Sequence, residues 1–97
     1  MIKTMFGEVV KDSDDCVVIN HRGSLVYLTK EEFEIIKLPE LNEYERKYYD
    51  EVKKTKNGDK RGMVSRVNFD VMNLGLGFTY ESYYKIIVAI VKGGYNS

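Results

Sequence analysis

The sequence predicts an α+β domain: an antiparallel β-meander over residues 1–29, then a half of three to four helices over residues 30–97. Three observations carry this expectation. Short runs rich in Val, Ile and Tyr alternate with turn clusters in the first 29 residues. Helix-capping signals stand at Thr29, Asn42 and Thr79. Glycines and the single proline fall between apolar stretches of helical period. A chain of 97 residues suits one domain, and 43% hydrophobic with 31% charged residues is the balance of a folded protein rather than a disordered one.

The meander is expected from Ile2–Val10, Cys16–Asn20 and Leu25–Thr29. Lys11-Asp12-Ser13-Asp14-Asp15 and Asn20-His21-Arg22-Gly23-Ser24 separate the runs with turn-forming residues. Thr29-Lys30-Glu31-Glu32 has capping-box spacing, and the short helix it opens places Phe33, Ile35 and Ile36 on an apolar face before Pro39 ends it. Asn42 and Glu45 form a second box. Tyr44, Tyr48, Tyr49 and Val52 then make an apolar stripe that runs to the breaker Asn57-Gly58. Met63–Val67 reads as a short strand, and Asn68 as the cap of a helix over Phe69–Leu76. After a Gly75/Gly77 turn, Thr79 caps a last helix from Tyr80 to about Lys92, which Gly93-Gly94 ends through a left-handed C-cap.

Charge is balanced overall but not along the chain. Residues 1–41 hold eight acidic against five basic residues, and residues 42–97 hold seven against ten. The second half is therefore the one expected to face an anionic partner. No apolar run approaches the roughly 20 residues a membrane span needs; the longest is Ile86–Val91. Lys3, Glu8 and Lys11 interrupt any leader-like apolar segment, and the one cysteine leaves no internal disulfide, so a cytoplasmic protein is expected.

Residues 42–96 resemble the helix-turn-helix core of winged-helix proteins. The resemblance rests on Asn68 as the cap of a second helix, Met72 and Leu76 as its inward residues, and Gly77-Phe78 in the turn. Thr79 then caps the third helix, Tyr83, Ile87 and Ile90 face inward, and Gly94-Tyr95 closes it. The N-terminal run Val26-Tyr27-Leu28-Thr29 with Glu32-Phe33 and Ile35-Ile36 is similar to the strand-to-helix junction of response-regulator DNA-binding domains, as Val64-Ser65-Arg66 is to the entry of their second helix. Asn73 stands where the family has a small residue, and too few residues follow Gly94 for a C-terminal wing.

The resemblance implies a small DNA-binding transcriptional regulator. Lys60, Arg61, Arg66, Lys85 and Lys92 would then contact phosphates of double-stranded DNA, with Thr79 and Ser82 near the bases. A chain this short would read DNA as a homodimer. Glu81, Ser82, Lys85, Ala89 and Lys92 are the expected outward residues of the last helix, and none of them is an Arg or Asn that reads a base with two hydrogen bonds. A second class therefore stays open: a protein-interaction module, such as a small viral or mobile-element protein that inhibits a host factor. Tyr44, Tyr48, Tyr49, Tyr83 or Tyr84 would anchor its interface.

No enzyme is expected. His21 is alone in a turn, and Cys16 in a β run reads as a buried structural thiol. The pair is too few for a zinc site. Asp12, Asp14 and Asp15 lack the glycine and distal glutamate of a calcium loop, and Gly75-Leu76-Gly77 is too short to cradle a phosphate. The expectation is thus no metal and no cofactor.

Overall fold

A computed structural model describes residues 2–73 and 78–97. The class is α+β: a four-stranded antiparallel sheet in the order β1-β2-β3-β4 is followed by four helices. The strands are β1 (Lys3–Thr4), β2 (Gly7–Asp12), β3 (Val17–His21) and β4 (Ser24–Leu28). The expected single strand Ile2–Val10 is thus a hairpin. Its turn is closed by the Thr4 side chain, whose Oγ1 accepts from the N–H groups of Phe6 and Gly7 (both 3.1 Å) and donates to the Gly7 carbonyl (2.8 Å). Gly7 adopts φ +154°, and a Cβ there would lie 1.9 Å from the Asn20 carbonyl oxygen, so only glycine fits.

A register shift between Val9 and Lys11 bulges β2 against β3. β3 and β4 pair without interruption across a two-residue turn. Arg22 and Gly23 both take positive φ in it, 53° and 87°, as a right-twisted hairpin requires. His21 ends β3 rather than sitting in the turn, and its Nδ1 lies 2.7 Å from the Phe6 carbonyl. Cys16 precedes β3 and is only half-buried, with Sγ 3.7 Å from the Ser13 hydroxyl. The expectation of a buried thiol inside a strand is corrected accordingly.

Helix α1 (Lys30–Ile36) opens with the Thr29/Glu32 capping box, both reciprocal bonds formed. Its Phe33 packs on Val17 and Ile19 to make the core of the sheet half, with Val9, Val26, Leu28 and Ile36 around it. Beyond α1 the chain runs along β1: Met5 N–H donates to the Ile36 carbonyl (2.9 Å) and Leu38 N–H to the Lys3 carbonyl (3.2 Å). One edge of the sheet is thereby covered.

Helix α2 (Glu43–Thr55) starts at the Asn42/Glu45 box and ends where Asn57 and Gly58 turn left-handed. Helix α3 (Lys60–Asn73) overturns two expectations at once. Met63–Val67 is helical, and Asn68 lies inside the same helix rather than capping a new one. The cap is Asp59, whose carboxylate accepts from Gly62 N–H (3.0 Å). Met63, Val67 and Asp70 recur at helical spacing and are buried; that burial outweighs the strand preference of the valines. Helix α4 (Tyr80–Lys92) is capped by Thr79 and ended by left-handed Gly93, φ 91°, as expected. The Gly75/Gly77 turn and Leu76 lie outside the described residues. Met72, expected inward, is 84% exposed, and Ala89, expected outward, is fully buried.

The three long helices share a second core of Leu41, Tyr49, Val52, Met63, Val67, Ile86, Ala89 and Ile90. Two cores side by side give an elongated molecule, 45 × 25 × 19 Å, with a radius of gyration of 14.9 Å against about 13 Å for a spherical domain of this length. Asn96 joins the halves. Its Oδ1 accepts from Lys3 N–H (2.7 Å), and its Nδ2 donates to the carbonyls of Lys3 and Leu38 (3.0 Å each). Among the described residues no helix is long and apolar enough to cross a membrane.

Candidate interaction face on α3 and α4

α3 and α4 lie side by side. The Lys60 ammonium at the start of α3 donates to the Val91 carbonyl near the end of α4 (2.9 Å), and the Tyr83 hydroxyl donates to Asn68 Oδ1. Ile86, Ala89 and Ile90 point α4 into the core. Tyr80, Tyr84, Ile87 and Val91 recur at i, i+4, i+7 and i+11, so they form a second stripe. Tyr80 is 81% exposed, Tyr84 59% and Val91 57%. Phe69 and Met72 add exposed apolar area from α3. A recess of about 290 Å³ lies between the helices, lined by Asn68, Val71, Met72, Phe78, Thr79, Tyr80 and Tyr83. A shallower hollow, formed by Lys60, Arg61, Val64, Ser65 and Asn68, meets it at Asn68. The result is one furrow, apolar and aromatic at one end and cationic at the other.

Of the residues expected to touch DNA, Lys60, Arg61 and Thr79 line this furrow, whereas Arg66, Lys85 and Lys92 are held by internal partners. Arg66 Nε donates to both oxygens of buried Asp70 (3.1 Å each), which also accepts from the Tyr48 hydroxyl of α2 (2.5 Å). Lys85 lies 3.5 Å from buried Glu45 of α2 and 3.9 Å from Glu81. Lys92 donates to the Lys37 carbonyl at the junction of the two halves (2.8 Å). Thr79 caps α4, and Ser82 is half-buried beside it, its N–H bonded to Thr79 Oγ1 (3.1 Å). Lys60 and Arg61 stand together at the cationic end, and Arg61 is exposed with no salt bridge among the described residues.

The electrostatics beneath the face are structural. Burial raises the Glu45 carboxyl pKa, but the Ser82 hydroxyl, the Asn42 N–H and the Lys85 ammonium together bring it below the ordinary value. Its Oε2 has no hydrogen-bond partner among the described residues. Burial, the hydrogen bond to Asp70 and that carboxylate's charge hold the Tyr48 hydroxyl protonated well above the usual phenol range.

Of the tyrosines considered as anchors, Tyr49 is buried against Tyr95, and Tyr48 and Tyr83 are half-buried with internal partners. Tyr44 and Tyr84 are exposed. Phe69, Met72, Tyr80 and Val91 escaped sequence reasoning. The signal for Tyr80 and Val91 was α4 itself, too apolar around its circumference for one core contact; for Phe69 and Met72 it was α3, whose apolar residues exceed its inward positions. Among the described residues no group of three or more His, Cys, Asp or Glu could hold a metal ion. Comparison with protein-family models, with curated proteins and with solved structures finds no match for this chain.

Proposed function

We propose that the protein is an interaction module whose α3–α4 furrow docks on another protein. The observation that carries this reading is that Met72 and Tyr80, 84% and 81% exposed, line the recess, with Phe69, Tyr84 and Val91 also exposed on the same two helices. Water-exposed aromatic and Met side chains around a recess are the composition of a binding hot spot, and burying them supplies the driving force of association. A furrow between helices suits an amphipathic helix laid lengthwise, its apolar residues on Tyr80 and Met72 and an acidic end at Lys60 and Arg61.

A second reading, phosphate contact with duplex DNA, rests on one observation: Lys53, Lys54, Lys60 and Arg61 are all exposed around the α2–α3 corner. The two readings predict opposite responses to substitution. The test is capture of partners by the immobilised protein, purification of whatever binds, and titration against the wild type, Tyr80→Ala/Tyr84→Ala and Lys60→Ala/Arg61→Ala. Duplex DNA is titrated in parallel by fluorescence anisotropy at about 50 and about 200 mM salt. A protein ligand weakened at least about tenfold by the tyrosine pair and little by the cation pair supports the docking reading. Salt-steep DNA binding lost in the cation pair, with no tyrosine-dependent protein ligand, overturns it.

A further inference from the structure

We infer that the protein pairs with a second copy of itself through the open edge of β4, antiparallel, about a two-fold axis at Val26. The two edges of the sheet are treated differently. β1 is covered by residues 36–38, whereas β4 has no backbone partner beyond β3 among the described residues. Open edges are normally guarded by a charge, a proline or a bulge. Ser24-Leu25-Val26-Tyr27-Leu28 carries none of these, and its register with β3 is unbroken.

The register identifies the groups that are offered. In a two-residue hairpin the pair flanking the turn, His21 and Ser24, exchanges hydrogen bonds, and the pattern alternates from there. Ser24, Val26 and Leu28 therefore spend their N–H and C=O on β3. Leu25 and Tyr27 aim theirs outward. An antiparallel copy centred on Val26 sets Leu25 opposite Tyr27 of the partner and Tyr27 opposite its Leu25, so each pair exchanges two bonds and every outward group of β4 is satisfied.

The side chains fit the same axis. Leu25 is 59% exposed and Tyr27 69%, on the sheet face away from α1; across the axis they become cross-strand apolar neighbours. On the other face a cavity of about 370 Å³ lies between the sheet and α1, walled by Val26, Leu28 and the 70% exposed Ile35. The partner's Val26 falls directly opposite Val26 and extends that wall. The register also brings Arg22 of each copy near the first turn of the other's α1. Counted from Val26 the residue opposite Arg22 is the partner's Lys30, whose charge Asp12 already answers (2.5 Å), which leaves Glu31 and Glu32 of the same turn as the opposite charge. A second copy thus answers the strand, both its faces and its charges, which selects it over an unrelated extended peptide.

The experiment is sedimentation equilibrium across a concentration series to about 100 μM, with amide hydrogen exchange on the same samples. The expected species has twice the 11.3 kDa chain mass, and protection of the Leu25 and Tyr27 amides rises with concentration while the Val26 amide is protected throughout. Leu25→Lys/Tyr27→Lys alters only exposed positions and weakens association at least about tenfold with an unchanged circular dichroism spectrum. Monomer at every concentration overturns the inference. So does a dimer whose Leu25 and Tyr27 amides exchange freely, or one abolished by Tyr80→Ala/Tyr84→Ala instead, which would assign self-association to the α3–α4 furrow.

Discussion

Replacing Asn96 by Ala removes three side-chain hydrogen bonds in one step, and their consequences differ. The Lys3 carbonyl keeps a partner, because Leu38 N–H also donates to it (3.2 Å). The Leu38 carbonyl loses the buried Nδ2 donor and the Lys3 N–H loses its partly buried acceptor. An orphaned buried group costs about 1–3 kcal/mol, so a fully buried carbonyl and a half-buried N–H together amount to about 3 kcal/mol. For a domain of this size that lowers the melting temperature by roughly 12–24 °C. Urea denaturation followed by circular dichroism measures it. Asn96→Asp should do worse at neutral pH, since a carboxylate would then face the carbonyls of Lys3 and Leu38, and should recover part of the loss in acid as it protonates. A loss below about 1 kcal/mol for Asn96→Ala, or an Asp variant as stable as the wild type, would refute the account of Asn96 as the joint between the halves.

Three further substitutions probe the packing beneath the candidate face and the first hairpin. Glu45→Gln keeps a capping-box acceptor but drops the attraction to Lys85, which retains access to water; the expected loss is about 1–2 kcal/mol near neutral pH by thermal melting. Because the folded Glu45 carboxyl sits below its ordinary 4.5, its contribution is full above that value and fades as pH falls through the lowered one, so the variant should show a flatter stability profile in acid. Tyr48→Phe leaves Asp70 to Arg66 alone and should cost about 1–3 kcal/mol in denaturant titration. The raised Tyr48 pKa stabilises the fold below the ordinary value of 10 and is lost as pH climbs above it, so the variant should lose less stability than the wild type between neutral and alkaline pH. Gly7→Ala forces a methyl to 1.9 Å from the Asn20 carbonyl at φ +154° and should cost about 2–4 kcal/mol, read as a fall in melting temperature; a change under about 0.5 kcal/mol would show that the hairpin shifts freely.

What was legible in the sequence was chemistry confined to a few neighbouring residues. The Thr29/Glu32 and Asn42/Glu45 boxes, the Thr79 cap and the Gly93 stop each act within one helical turn, and all four appear where they were expected. Asp59 belongs to the same class, but with Met63–Val67 read as a strand no helix start was expected there. The division of Ile2–Val10 was signalled by Gly7, yet the reason for a glycine there lies in Asn20, on another strand. Exposure on α4 was harder still. The period separates two apolar stripes, but which one meets α2 and α3 is decided by partners distant in the chain, so Ala89 was placed outside; Met72 of α3 was placed inside for the same reason. The cations misled for a related reason. Lys85 and Lys92 look available in sequence, and only the folded arrangement supplies Glu45 and the Lys37 carbonyl as their partners; Asp70 stands four residues from Arg66, a helical pairing hidden once Met63–Val67 was read as a strand.

The side chain of Asn96 spans 93 residues to Lys3 and 58 to Leu38, whereas the hairpins, capped helices and their immediate pairings close over far shorter stretches. Short loops close first because their entropic cost is least. The joint is therefore expected to close after the rate-limiting barrier, and a contact absent from the barrier acts only on the way out. The stability removed with Asn96 should emerge almost wholly as faster unfolding, roughly a hundredfold for about 3 kcal/mol, with the refolding rate nearly unchanged. One carboxamide would then govern how long each molecule stays assembled, while having little influence on how quickly it first becomes so.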